Sequence, residues 1–265
     1  MKKYLSLLSL FPFLLPQGQA ADLTLVKDGI PRAIIAIAED PDEHEQLAVE
    51  ELQTHLEKMS GAKVDAVTIK VDGGKSFIAE TKAAKMTPIL IGRITRERLA
   101  KQFKKPPMRG AFVLQVADGA VRIQGLEEGS YYGVIELLEQ LGCRWFMPGD
   151  LGAVIPRLET ITIKEQTTKQ SPSFASRHFQ MPNRDWQKRA RCGGDVFRGG
   201  HGLKAPPYRR NKATGAYEPA ENAEYYGLVD GKRIGRQHCV SNPKLISYTV
   251  SAVKKMRAAG RGPVI

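Results

Sequence analysis

Between residues 23 and 164 the apolar positions follow two periods in turn. Residues 23–26 and 33–38 are short apolar runs on either side of Lys27-Asp28-Gly29-Ile30-Pro31, and they predict two strands. Ala48, Leu52, Leu56 and Met59 then recur at steps of three and four, which predicts a helix with one apolar face. Asp40 is its expected N-cap, Pro41 its first position, Glu43 the capping-box partner and Gly61 the left-handed exit. Residues 64–71 and 88–92 read as strands and 96–103 as a short helix. Residues 111–116 and 120–124 form a hairpin whose Asp118-Gly119 suits a type I′ turn. A second helix runs from Gly129 through Leu141 and stops at Gly142, and 161–163 is a last short strand. Strands with helices between them, plus one hairpin, predict an α+β or mixed α/β layer domain over residues 21–165.

The pattern changes after Lys164. Residues 166–173 read as a polar linker, 174–179 as a strand, and 191–212 as a long, basic, glycine-rich loop. A final helix starts at Asn242-Pro243, with Ile246, Thr249, Val253 and Met256 along one side and Gly260 at its end. Pro263-Val264-Ile265 looks like the start of another strand. At the other end, Met1-Lys2-Lys3, an apolar run over 5–15 and Gly18-Gln19-Ala20 read as a secretory signal peptide covering 1–20. Its apolar run is too short to span a bilayer, and no later stretch approaches the ~18 residues that would. The mature chain is expected to begin near Ala21 and to be secreted or periplasmic, with no transmembrane segment.

The formal net charge is +12, and removing Lys2 and Lys3 leaves +10. Residues 177–212 hold ten Lys or Arg against Asp185 and Asp195, so most of the excess is local. A solvated loop explains such a run, as does contact with an acidic glycan; export argues against a nucleic-acid partner. Cys143, Cys192 and Cys239 form no CxxC pair, so export permits one disulfide or three reduced thiols. The five histidines show no metal-ligand spacing, and the paired glycines at 193–194 and 199–200 lack the lysine of a phosphate loop. No metal and no cofactor is expected.

Several segments together resemble one family. These are 48–52 (AVEEL), Met59-Ser60-Gly61, Ile89-Leu90-Ile91-Gly92, 121–125 (VRIQG), Tyr132-Gly133-Val134, and above all Gly142-Cys143-Arg144-Trp145-Phe146-Met147-Pro148. They resemble the non-catalytic α/β domain that precedes the barrel in α-glucuronidases and β-hexosaminidases, within the bacterial exported family called domain of unknown function 4838. Residues 224–233 and 237–243 resemble the same family, although Asn222-Ala223 stands where its members have His-Pro. The resemblance implies the first part of a TIM-type β/α barrel over 166–265. About 100 residues supply only one or two of eight β/α units, so this barrel is incomplete. The implied function is that of a secreted, glycoside-hydrolase-like protein of polysaccharide degradation, inactive as this truncated chain. The alternative is a non-catalytic binding module for acidic polysaccharide.

Glycoside hydrolysis commonly uses two carboxylates set apart by the fold. The acids after the linker, Asp185, Asp195, Glu218, Glu221, Glu224 and Asp230, sit in no motif that marks them as catalytic, and the catalytic pair is expected beyond Ile265. Candidates for substrate contact are better placed. Arg177 and His178 end the expected first barrel strand, where such barrels carry their sites, and Arg177 suits a sugar carboxylate. Trp186 reads as core or as a flat face for a sugar ring. His201, in Gly199-Gly200-His201-Gly202, reads as an exposed loop residue or as a hydrogen-bonding or acid–base group, with Arg198 raising the local positive potential. Trp145 and Phe146 are expected to be core.

Overall fold

The computed structural model describes residues 22–94, 99–178, 183–195, 208–210, 213, 217–219 and 222–259. The expected signal peptide and the strand start at 263–265 lie outside these. The chain divides into two compact units, Met1–Gly194 and Asp195–Ile265.

The first unit contains, in order, β1 (Leu23–Lys27), β2 (Ile30–Pro31), β3 (Ala33–Ala38), α1 (Glu43–Ser60), β4 (Ala66–Ile69), α2 (Gly74–Ala83), β5 (Thr87–Ile91), β6 (Phe112–Ala117), β7 (Ala120–Gly125) and α3 (Gly129–Gln140). Next come β8 (Arg144–Trp145), β9 (Ala153–Val154), β10 (Ile161–Ile163), β11 (Gln166–Gln170), β12 (Ser176–Arg177), α4 (Arg184–Arg189) and β13 (Gly193–Gly194). This is the mixed α/β architecture expected of the sequence. Its main sheet runs β11-β6-β7-β5-β3-β4. The four strands from β7 to β4 are parallel, and β6 and β11 add antiparallel partners at the other edge.

Both faces of β3 are covered, so its sequence is apolar throughout and does not alternate with polar residues. Ile35 and Ile37 face the larger core, with Leu52 and Leu56 of α1 and Val134, Ile135 and Leu138 of α3. Ala36 and Ala38 face a smaller core with Leu90, Phe77 of α2 and Ile94. Each large aliphatic side chain withdrawn from water in this way contributes about 1.5–3 kcal/mol, so the α1–α3 face carries most of the stability. Asp118 (φ 50°) and Gly119 (φ 67°) make the expected left-handed turn between β6 and β7.

Some elements differ from expectation, each for a physical reason. The N-cap of α1 is Asp42, in a reciprocal capping box with Glu45, two residues later than the local pattern placed it. Tertiary contacts select it: the buried Glu45 carboxylate also accepts from the Arg93 backbone N–H at 2.7 Å and Nε at 3.3 Å. Asp40 pairs instead with the Arg93 guanidinium at 3.1 Å. Helix α2 is absent from the sequence pattern because its cap, Gly73, offers no side chain and few of its residues are buried. Residues 166–170 are strand β11 and not a linker. They look polar because an edge strand is held by its backbone ladder to β6, while Gln166 and Gln170 bond to Gln140 and Glu136 of α3. Trp145 packs against the core, but Phe146 is 72% exposed. Of 96–103, only a 3-10 turn at Ala100–Gln102 and its flanks is described.

The second unit contains β14 (Tyr208–Arg210), β15 (Tyr217–Pro219), β16 (Tyr226–Val229), β17 (Lys232–His238) and α5 (Pro243–Ala258). Its described strands form two antiparallel pairs, β14-β15 and β16-β17. Asn242 caps α5 by accepting from the Lys244 and Leu245 backbone N–H groups, with proline first as expected. The buried face differs: Leu245 is buried, whereas Ile246 is half exposed. No helix among the described residues is long and apolar enough to cross a membrane.

Candidate functional site

Where β8 ends, Trp145 meets polar side chains from two helices. The His55 ring meets the indole edge-on, with centroids 5.2 Å apart, and the Arg189 guanidinium lies over it at 5.6 Å. Arg189 comes from α4 and donates to both carboxylate oxygens of Glu51 on α1, at 2.6 and 3.3 Å. Trp186, also on α4, donates its indole N–H to the Trp145 carbonyl at 2.9 Å. Asn183 caps α4 through the Trp186 backbone N–H at 2.8 Å. Trp186 thus spends its one polar group on the layer unit. It also borders a cleft of about 200 Å³ with His55, Trp145, Met147, Asn183 and Arg189.

Glu51, His55 and Arg189 were not singled out as site residues by the sequence. The signal is there in hindsight: His55 lies one residue before Leu56 on the apolar stripe and four after Glu51, so helical spacing buries it beside a carboxylate. Burial is the largest influence on the imidazole and holds it below its ordinary value. Arg189 and Lys58 act in the same direction, against the hydrogen bond to the Glu51 carbonyl and the Glu51 charge. The ring nitrogen Nδ1 lies 2.9 Å from that carbonyl oxygen, and the neutral ring donates there. A folded-state value below the ordinary ~6.5 means that the unfolded chain binds the extra proton first. Stability contributed by neutral His55 is therefore complete above that pH and is lost as pH falls below it. We expect the melting temperature to drop between pH 7.5 and 5.5, and His55→Leu to flatten that slope. An unchanged slope in the variant would place the acid sensitivity elsewhere.

Arg177 lies on β12 and donates to three backbone carbonyls: Phe174 at 2.9 Å, Arg191 at 3.3 Å and Arg109 at 3.4 Å. His178 Nε2 is 3.4 Å from the Gly194 carbonyl. These two predicted contacts meet at the β12-β13 pair, separate from the Trp186 cluster. Glu128 binds the same pair. It accepts from Arg109 Nε at 2.9 Å and from the Gly194 N–H at 3.4 Å, while Tyr132 donates its hydroxyl to the Cys192 carbonyl at 2.8 Å. Burial pushes the Glu128 carboxyl up, but the hydrogen bonds and charge of Arg109, together with the backbone N–H groups of Glu128 and Gly194, outweigh it and leave the group below its ordinary value. Arg198 and His201 lie outside the described residues.

The basic stretch is partly neutralised. Arg189 pairs with Glu51, and Arg191 pairs with Glu136 at 2.9 Å and Glu139 at 2.6 Å on α3. Asp185, Asp195, Glu224 and Asp230 are all exposed, and Asp230 (φ 49°) with Gly231 turns the β16-β17 hairpin. Cys143, Cys192 and Cys239 are free thiols.

No family model matches the sequence, and no curated protein does. Among solved structures, the chain is similar to the family GH115 4-O-methyl-α-glucuronidase BtGH115A, with specificity for decorated arabinogalactans. There the TM-score is 0.42 at 22% identity, over 59% of this chain and 19% of that one. A GH20 β-N-acetylhexosaminidase from Streptomyces coelicolor A3(2) gives 0.35 at 12% identity, over 60% of this chain and 26% of that one. The chitobiase of Flavobacterium johnsoniae gives 0.34 at 14%, over 60% and 20%. The chain therefore spans about a quarter or less of the length of these three structures.

Proposed function

We propose that residues 21–165 are the non-catalytic platform of a secreted, glycoside-hydrolase-like protein, and that this platform holds the start of a barrel domain, residues 166 onward, by gripping α4. One observation carries this reading. The segment Gly142–Pro148, the most specific part of the family resemblance, presents Trp145 to α4, and α4 returns Trp186 and Arg189 to Trp145 and Glu51. A helix fixed by an indole hydrogen bond, a cation over an indole face and a bidentate ion pair is rigidly registered. Such registration suits a domain whose role is to orient its C-terminal neighbour.

In this reading Arg177, His178 and Trp186 position backbone at the platform edge, and Arg198 and His201 remain the candidates for contact with carbohydrate. Asp185, Asp195, Glu224 and Asp230 are exposed and form no pair that this reading assigns as catalytic. A binding module built on the basic stretch is less favoured, because Arg189 and Arg191 are already paired with helix carboxylates.

The test has two arms. The pure 265-residue chain is expected to show no turnover of aryl glycosides or uronic-acid oligomers, and measurable turnover would overturn the non-catalytic reading of these acids. The coding region after the Ile265 codon is expected to encode further β/α units with paired acids. Unrelated sequence there would remove the platform reading.

A further inference from the structure

A cavity of about 640 Å³ opens on the α2 face of the main sheet, lined by none of the residues of the Trp145 cluster or the β12-β13 pair. That volume lies in the range of small-molecule sites. Strand register explains its lining. Leu90 of β5 is the parallel partner of Arg122 on β7, and Arg122 and Gln124, two apart, share its face. Helix α2 covers this face near β3 and β5 with Phe77, and its Lys75 and Ile78 form part of the cavity wall. Ile78, Leu90 and Ile94 supply an apolar wall, while Lys75, Arg122 and Gln124 supply the polar groups.

Gln124 is buried, with 7% exposure, and its Oε1 has no hydrogen-bond partner. A buried acceptor left unpaired destabilises the fold, so its retention calls for an explanation. The charges point the same way. Arg93 also lines the cavity but is neutralised by Asp40 and Glu45. Among the described residues neither Lys75 nor Arg122 has an ion-pair partner, although Arg122 donates one N–H to the Ala117 carbonyl at 3.1 Å. Asp72, exposed, is the acid among the lining residues. The two cations without an ion-pair partner, Lys75 and Arg122, are therefore available to an anionic group.

We infer that this cavity binds a small organic monocarboxylate with an apolar body and a hydroxyl group, the carboxylate between Arg122 and Lys75 and the hydroxyl donating to Gln124 Oε1. A bare anion such as phosphate suits it poorly, because the aliphatic wall of Ile78, Leu90 and Ile94 would go unused. This site is independent of the platform and its hold on α4.

The test uses the full chain, with 4-hydroxybenzoate as the carboxylate probe and inorganic phosphate as the bare anion, each titrated by NMR. Saturable shifts at Lys75, Arg122 and Gln124 with 4-hydroxybenzoate are expected, with phosphate on the order of tenfold weaker or more. Arg122→Met removes a charge-assisted bond, so it should weaken the carboxylate on the order of tenfold. Gln124→Leu removes the unpaired acceptor at similar volume. It should raise the melting temperature by about 2–4 °C while weakening binding. Equal binding of phosphate, no saturable shift, or a lowered melting temperature in Gln124→Leu would each overturn the inference.

Discussion

Gly129→Ala is expected to cost about 3 kcal/mol, although alanine is the better helix former by about 1 kcal/mol. The two effects have opposite signs, and geometry decides between them. Gly129 is the first residue of α3, and a Cβ there would overlap the backbone carbonyl of Ala111. That carbonyl cannot retreat, because it accepts the Leu126 N–H at 2.9 Å and lies where β6 begins. Gly125, at the end of β7, meets the same junction from the other side, where a Cβ would overlap the backbone of Gly129 and Ser130. Neither residue has a positive φ, so the requirement is close approach of chain to chain and not a left-handed conformation. Gly61→Ala is the control: its φ is +78° in the left-handed α region, but nothing lies within 4 Å of the added Cβ. It should cost only about 1–2 kcal/mol. Urea unfolding of the three proteins gives the comparison, and a Gly129→Ala chain as stable as the parent would show that α3 docks less closely against Ala111.

The same junction shows what a single sequence reveals about the fold. Gly129 and Gly142 were legible as helix ends, and Asp118-Gly119 as a turn, because these features are set by local backbone chemistry. The apolar stripe of α1 was legible because it repeats with the helical period. What escaped was decided by partners distant in sequence. Arg93 draws Glu45 into the capping box and moves the start of α1 to Asp42. β11 is visible only through β6, since an edge strand with polar side chains leaves no alternation to read. Among the site residues, Arg177 and His178 were found at a strand end and Trp186 as an aromatic face, but their partners are mostly backbone carbonyls, which no residue type advertises. The Glu51–His55–Arg189 constellation joins α1 to α4 across 138 positions of chain. Helical spacing alone could bring Glu51 and His55 together, but only the fold adds Arg189 and Trp145 to them.

Glu51→Ala is expected to cost about 2–3 kcal/mol and to release α4 from the layer unit. Removing one partner of a buried ion pair costs about 3–5 kcal/mol, because the remaining charge stays desolvated. Here the side chains retain 27% and 13% exposure, which lowers the figure. The loss reaches further than one pair, since Arg189 would no longer be held over the Trp145 face and the cation–indole contact would weaken with it. Glu51→Met with Arg189→Met tests the attribution. With both charges gone nothing is stranded, so the double variant should lose less than the two single changes together, by about 1–2 kcal/mol in a double-mutant cycle. Limited proteolysis gives the structural readout: cleavage near residues 184–189 should accelerate in Glu51→Ala and return toward the parent rate in the double variant. Strict additivity with unchanged cleavage would mean that α4 is held by Trp186 alone, and the platform reading would then rest on the indole hydrogen bond without its ionic clamp.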